Sequence, residues 1–191
     1  MNKPLTDREK LAWEFAQDRH KNQIRKFLNL PYFDAHVQKV NGILKQHTKE
    51  EDKLIAALLH DTFEDTFENK WIGYSVVKGI FGMRVADLVM ELTSDKDEIL
   101  YKYDGSKLNY LKDKLSKMSD DALEIKLADR LQNISDAFTA SDSFREKYYN
   151  ETVSLIETVE NRKLTKVSWR LVLDIKSKLE NINKVINSQN I

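Results

Sequence analysis

Leu54 to Leu59 are six consecutive apolar residues that run without a break into His60-Asp61-Thr62-Phe63-Glu64-Asp65-Thr66. Such a run belongs inside a protein, so the fold must bring an imidazole and three carboxyl groups to the edge of its core. If one helix carries the whole stretch, His60 lies over Glu64 and Asp61 over Asp65, because residues four apart share a helical face. Carboxyl groups crowded there repel one another and lose hydration, a conflict relieved by raised pKa values or by a shared cation. A divalent metal supplies that cation. The plainer alternative is a helix C-terminus whose charges point into water.

Five glycines and two prolines in 191 residues, with 32% of the chain charged, predict helices joined by short loops. Thr6 with Glu9 has the capping-box pattern and starts a helix over about Asp7 to His20, with Leu11, Ala12, Phe15 and Ala16 recurring on one face. A second helix is expected over about Pro31 to His47, carrying Val37, Val40, Ile43 and Leu44. Thr48 with Glu51 repeats the capping-box pattern and opens the central helix. Two segments broken at Gly82 (Trp71, Val76, Val77, Ile80, then Val85, Leu88, Val89, Leu92) predict a helical hairpin packed on the core. Ser94 to Lys107 is polar and reads as a loop near the site. There Asp95, Lys96, Lys102, Tyr103 and Lys107 are either phosphate contacts or a solvated charge run.

Leu108 to Met118 returns to helix. Ser119 followed by Asp120 and Asp121 starts another, with Leu123, Leu127, Leu131 and Ile134 as its apolar stripe and Asp129 over Asn133 on an adjoining face. About Ser141 to Asn187 forms two long amphipathic helices, the second marked by Leu171, Ile175, Leu179, Ile182 and Ile186. Tyr148 and Tyr149 fall in this part and suit core packing better than a pocket wall. The chain as a whole reads as one all-α domain over residues 1–191.

Lys plus Arg and Asp plus Glu both number 31, giving a net charge of zero. That argues against a broad nucleic-acid or membrane footprint. With no cysteine, disulfides, thiolate zinc sites and cysteine nucleophiles are excluded together, so any metal must sit on histidine and carboxylate. No apolar run approaches the ~20 residues that span a bilayer, and the N-terminus has no apolar signal segment, so the expected setting is cytoplasmic.

The string Ala56-Ala57-Leu58-Leu59-His60-Asp61-Thr62-x-Glu64-Asp65-Thr66 resembles the signature of the HD-domain metal phosphohydrolases. Within them it is most similar to the RelA/SpoT-type hydrolase domain, which removes pyrophosphate from the 3′ position of the alarmone ppGpp. Three further stretches carry the resemblance: His20-Lys-Asn-Gln-Ile-Arg25-Lys26 leading through Pro31-Tyr32 to His36, Phe81-Gly82 to Leu92-Thr93, and Lys126-Leu-Ala-Asp129-Arg-Leu-Gln-Asn133. The chain departs from the pattern at Asn22, where the family usually has glycine, and over Phe27-Leu28-Asn29-Leu30, where a glycine-containing loop is usual. Asn is the best substitute for glycine at a positive φ, so a turn at Asn22 is compatible with the pattern. Resemblance runs from about Ala16 to Asn133, and the last third is similar only in helix content.

The resemblance implies an all-α HD-domain helical bundle of roughly eight to ten helices. It also implies a metal held by His36, His60, Asp61 and Asp129, two nitrogens and two oxygens that leave positions open for chemistry. His47 and His20 are left as non-ligands, with His20 a neighbour of the site. Imidazole with carboxylate is compatible with Mn²⁺, Fe²⁺ or Zn²⁺, and the family favours Mn²⁺. Glu64 and Asp65 are expected to position the attacking water and move its proton. Arg25, Lys26 and Asn133 are expected to contact the nucleotide, although Arg25 and Lys26 also suit a basic helix end.

The implied reaction is hydrolysis of ppGpp to GDP and pyrophosphate by a stand-alone hydrolase, nothing in the chain resembling a synthetase domain. Two other readings stand beside it. One is an HD-type phosphohydrolase acting on a deoxynucleotide, an adenosine alarmone or a phosphorylated dinucleotide cofactor, motivated by the altered Phe27 to Leu30 loop. The other is a catalytically silent helical module that binds a nucleotide or a protein. For Asp129 alone, the plainer reading is a salt bridge to Lys126, Arg130 or Arg25.

Overall fold

The computed structural model describes residues 5–26 and 28–189, with side chains described as far as residue 187. It divides into two compact units, Met1–Ser94 and Asp95–Ile191. Among the described residues there are eleven α-helical segments, one of them a single turn, and one two-stranded ribbon. Ten helices of seven residues or more agree with the eight to ten expected. Phe27, part of the loop that departs from the family pattern, lies outside the described residues.

In the first unit, α1 (Asp7–Arg19) opens with a complete capping box. The Thr6 hydroxyl accepts from the Glu9 amide at 3.1 Å, and the Glu9 carboxylate accepts from the Thr6 amide at 2.7 Å. The chain then enters a short antiparallel ribbon, β1 (Ile24–Arg25) against β2 (Leu30–Pro31), turned by Asn29 at φ 53°. The positive φ thus falls on Asn29 and not on Asn22, because the reversal lies within the ribbon rather than before it.

The segment expected as a helix over Pro31 to His47 is shorter and begins irregularly. Pro31 pairs in β2, and Phe33–Val37 forms a π-helical turn in which the Gln38 amide reaches back to the Phe33 carbonyl. Only then does α2 (Gln38–Lys45) begin. Such bulges re-aim side chains and recur at functional sites. This one carries His36.

Helix α3 (Glu51–Leu59) buries Leu54 to Leu59 on every side against α1, α2 and α6 (Met83–Leu92). A helix apolar all round belongs at the centre of a unit. Its expected capping box is absent. Glu50 takes the N-cap position, and Thr48 accepts from the Glu50 amide at 3.2 Å. Glu51 is drawn away, accepting from the Thr6 hydroxyl at 2.5 Å and pairing with Arg8, so the box of α1 is tied to the start of α3.

The helix also stops earlier than the sequence suggests. His60 and Asp61 form a turn, the Thr62 hydroxyl donates to the Leu59 carbonyl at 2.6 Å, and a single new turn, α4 (Thr62–Asp65), follows. His60, Asp61, Glu64 and Asp65 therefore do not line one helical face.

The hairpin expected around Gly82 is α5 (Lys70–Phe81) against α6, with Gly82 at φ 93° where a side chain would be strained. Its buried stripe is Gly73, Val77 and Phe81. Trp71, at 61% exposure, and Ile80, at 45%, face outward instead of packing on the core. Gly73 is the pivot of that register, since a Cβ there would stand 2.8 Å from Phe63 and 2.9 Å from Phe67.

In the second unit, the stretch read as a loop holds α7 (Lys96–Lys102), capped by Asp95 accepting from the Glu98 amide at 3.0 Å. The Asp-x-x-Glu spacing is a start signal, obscured in the sequence by the surrounding polarity. Lys102 pairs with Glu98 at 2.9 Å and the Tyr103 hydroxyl donates to Asp113 at 2.7 Å. Helix α8 (Lys107–Lys117) follows a Ser106 cap, and α9 (Asp120–Asp136) follows Ser119, whose hydroxyl accepts from the Ala122 amide.

Leu123, Leu127, Leu131 and Ile134 of α9 are all buried. Along α9 packs α11 (Lys166–Gln189), whose Leu171, Ile175, Leu179 and Ile182 are buried while Ile186 is only half-buried. Between them in the chain, α10 (Asp142–Glu160) packs on α8 and α11, and its buried Arg145 donates to the carbonyls of Ala137, Phe138 and Ala140. That guanidinium satisfies the backbone at the end of α9. Tyr148 is half-buried and stacks on the exposed Phe144 beneath the Arg130 guanidinium, so it lies outside the core in which the sequence placed it.

Candidate functional site

The π-helical turn and the end of α3 bring two imidazoles together in the first unit. His36 and His60 are 1% and 2% exposed, and their Nε2 atoms stand 3.2 Å apart. The Asp61 Oδ2 lies 3.0 Å from the His60 Nε2 and 3.4 Å from the His36 Nε2. The His60 Nδ1 faces the Ala57 carbonyl at 2.9 Å. A carbonyl only accepts, so Nδ1 carries the proton, and the neutral ring turns its Nε2 lone pair inward.

Three polar atoms that converge at such range are held together by a shared proton or by a shared cation. With metal–ligand bonds of about 2.1 Å, neighbouring ligands on one ion stand about 3.0–3.4 Å apart, the same range as the three separations observed. The donor set thus fits a divalent cation. The carbonyl behind His60 is the outer partner that metal-bound histidines characteristically keep.

Tyr32 belongs to the Pro31-Tyr32 stretch that carries the resemblance, but the sequence assigned it no role in the site. Its hydroxyl donates to the Asp61 Oδ2 at 2.5 Å, and its ring lies 5.1 Å from that of His36 and 5.2 Å from that of His20. The signal was present, because Tyr32 precedes His36 by four residues within the Pro-Tyr-x-x-x-His string. Arg25 is half-buried with its guanidinium 5.5 Å from the centre of the Tyr32 ring, while Lys26 is exposed.

Glu64 and Asp65 turn away from each other. The Glu64 carboxylate accepts from the Ser94 amide at 3.1 Å, and the Asp65 carboxylate accepts from the Gln23 side-chain amide at 2.9 Å. In the second unit, Asp129 is buried on α9, where it pairs with Lys126 at 2.7 Å and accepts from the Asn133 amide at 2.5 Å. The stacking of Asp129 over Asn133 is therefore present, and so is the Lys126 ion pair that the plainer reading of Asp129 anticipates. His47, read as a non-ligand, is half-buried just after α2.

Burial opposes ionisation of Asp61, yet the positive charges that the His60 and His36 rings carry once protonated at acid pH outweigh that effect and hold its carboxyl well below the usual carboxylate range. Asp65 moves the other way: lost hydration pushes its carboxyl up, aided by the negative Asp61 and Glu64 and opposed by the Gln23 hydrogen bond. These shifts set a pH dependence. A carboxyl depressed on folding adds stability above its unfolded pKa of about 3.9, and that stability is lost as pH falls through the folded value. Metal-free protein is expected to lose stability below about pH 4, and Asp61→Asn is expected to flatten this slope. Urea unfolding at a series of pH values checks it, and an unchanged slope in the variant would rule out Asp61 as its source.

A helical fold with buried histidines beside a His-Asp pair at a helix end defines a class. Residues 12–163 match the HD domain, and the chain belongs to the HD-domain family. It is 33% identical over 165 residues to the guanosine-3′,5′-bis(diphosphate) 3′-pyrophosphohydrolase MESH1 of Drosophila melanogaster, covering 84% of this chain and 88% of that protein. It is 35% identical over 152 residues to the guanosine-3′,5′-bis(diphosphate) 3′-pyrophosphohydrolase of Aquifex aeolicus (strain VF5). That match covers 79% of this chain but only 21% of the longer relative. The solved structure of a metazoan ortholog of SpoT, described as hydrolysing ppGpp and acting in starvation responses, has a TM-score of 0.78 at 26% identity. It covers 94% of this chain and 98% of that one. Among the described residues no helix is long and apolar enough to cross a membrane.

Proposed function

We propose that this chain hydrolyses the 3′-pyrophosphate of ppGpp to GDP and pyrophosphate, using one divalent metal held by His36, His60, Asp61 and Asp129. The observation that carries the reading is the trio of facing donor atoms on His36, His60 and Asp61, at separations that suit one cation. A relative named for that activity, matched over 88% of its own length, supports the substrate. Mn²⁺ is the metal of choice, because carboxylate ligands tilt a mixed imidazole and carboxylate set toward harder ions. A nucleotide substrate also suits a cytoplasmic setting.

When bound, such a cation polarises a phosphoryl oxygen and makes a water molecule acidic near neutral pH. The remaining work belongs to side chains. Tyr32 holds the Asp61 carboxylate by a hydrogen bond, and Asn133 does the same for Asp129. Asp65, its pKa pushed up, is suited to take the proton of the attacking water, and Glu64, anchored on Ser94, orients that water. Arg25 and Lys26 face the nucleotide, the guanidinium over the base and the ammonium toward phosphate, with Asn133 as a further contact.

Incubating the purified chain with ppGpp and Mn²⁺ is expected to release pyrophosphate and GDP in equal amounts. Chelation is expected to stop the reaction, and Asp129→Ala to slow it by at least about a hundredfold. A panel containing a deoxynucleotide, an adenosine alarmone and a phosphorylated dinucleotide cofactor is assayed beside it. Turnover confined to nucleotides without a 3′-pyrophosphate would overturn the alarmone reading, and full activity in Asp129→Ala would remove that residue from the metal set.

A further inference from the structure

His20 is 1% exposed, ends α1, and is not among the metal ligands proposed above. Its Nδ1 stands 2.6 Å from the Gln23 Oε1, and the Gln23 Nε2 donates to the Asp65 Oδ2 at 2.9 Å. The direction of both bonds follows from Asp65. An ionised carboxylate only accepts, so Gln23 must turn its NH₂ group toward it. The amide oxygen then faces His20 and also only accepts, so the His20 Nδ1 carries the ring proton.

The backbone of Gln23 is held from two sides. Its amide donates to the His20 carbonyl at 2.9 Å, and its carbonyl accepts from the Tyr32 amide at 2.8 Å. Tyr32 is the residue whose hydroxyl contacts Asp61. A residue present only to fill space would not need to be an imidazole. Here the His20 Nε2 is buried with no hydrogen-bond partner among the described residues, a cost that an apolar ring avoids. What the imidazole adds over such a ring is one donor, aimed at Gln23. Burial also lowers the His20 pKa, which favours the neutral ring that the chain of bonds requires.

We propose that His20 and Gln23 are positioning residues: a fixed chain from the His20 Nδ1–H through the Gln23 amide to the Asp65 Oδ2 aims that carboxylate at the attacking water. The inference rests on the proton-transfer role proposed for Asp65. The charged or titratable groups facing Asp65 are Asp61 and Glu64, which disfavour its ionisation, and the neutral His20 behind Gln23.

The test needs no turnover for its first part. In full-length, metal-free protein, ¹⁵N shifts of His20 are expected to show the neutral Nδ1–H tautomer. Carboxyl ¹³C titration is expected to show a higher Asp65 pKa in Gln23→Leu than in the wild type, because a donor to the ionised form has gone. With ppGpp and Mn²⁺, Gln23→Leu is expected to lower kcat about 10- to 100-fold, a share of the ~10²–10⁴ that positioned proton transfer supplies. KM should stay within about twofold, and the acid limb of the kcat profile should move to higher pH.

His20→Phe keeps the ring and removes the donor, so it is expected to lower kcat, whereas His20→Asn, whose amide sits where Nδ1–H did, recovers most of the loss. Circular dichroism confirms that each variant is folded, and the two His20 variants decide the matter if Gln23→Leu is not. An Nε2–H tautomer, an unchanged Asp65 titration, or equal kcat in His20→Phe and the wild type would overturn the positioning. A wild type that releases no pyrophosphate from ppGpp overturns the functional reading instead, and the two NMR measurements still decide whether Gln23 holds Asp65.

Discussion

His60→Ala is expected to reduce pyrophosphate release from ppGpp by more than about a hundredfold, since removing even an outer partner of a metal-bound histidine costs ~10–100-fold. The reason is local. His60 stands at the end of a helix packed on all sides, its Nδ1 is locked to the Ala57 carbonyl, and its Nε2 points at His36 and Asp61. Alanine leaves the Asp61 carboxylate beside a single imidazole, so Mn²⁺ binding measured by calorimetry should weaken in parallel with the rate. His47→Ala, outside the set, should keep the wild-type rate within about twofold, which separates loss of a ligand from loss of any histidine. A His60→Ala protein that still binds Mn²⁺ normally and turns over ppGpp would remove the metal reading altogether.

The largest effect on stability is expected from Leu58→Ala, at about 2–5 kcal/mol, the range for a fully buried leucine whose cavity does not collapse. Leu58 is 0% exposed, and the helix that bears it is enclosed by α1, α2 and α6, so no neighbour is free to move into the space. The urea midpoint should fall by about 1 M or more. Because the same helix ends at His60, activity should decline over the same urea range as the fold. A loss below about 1 kcal/mol would mean that the surroundings of α3 relax far more readily than its burial implies.

Much of the molecule is legible in the residue order. Two of the three hydroxyl caps, Thr6 with its box and Ser119, are in place, as are the buried stripe of α9 and the break at Gly82. These depend on partners three or four positions away, and helical periodicity exposes them. The stripe of α5 differs from the one that periodicity predicts, because Trp71 and Ile80 are apolar and yet exposed, and hydrophobicity alone does not say which side of a helix has a neighbour. The second capping box failed for a related reason: Glu51 meets a stronger partner in Arg8 and Thr6, more than forty residues earlier.

By itself the sequence determined that the chain is helical, that Leu54 to Leu59 are interior, and that a His-Asp pair with two further carboxylates ends that interior run. Only tertiary structure decided how those groups are used. The π-helical turn swings His36 toward His60, the halt at Leu59 sends Glu64 to Ser94 and Asp65 to Gln23, and Tyr32 is brought onto Asp61. Each of these depends on atoms 24 to 42 positions apart in the chain. No local periodicity encodes such meetings, because they are settled by how buried helices pack and where their ends leave polar groups to be satisfied.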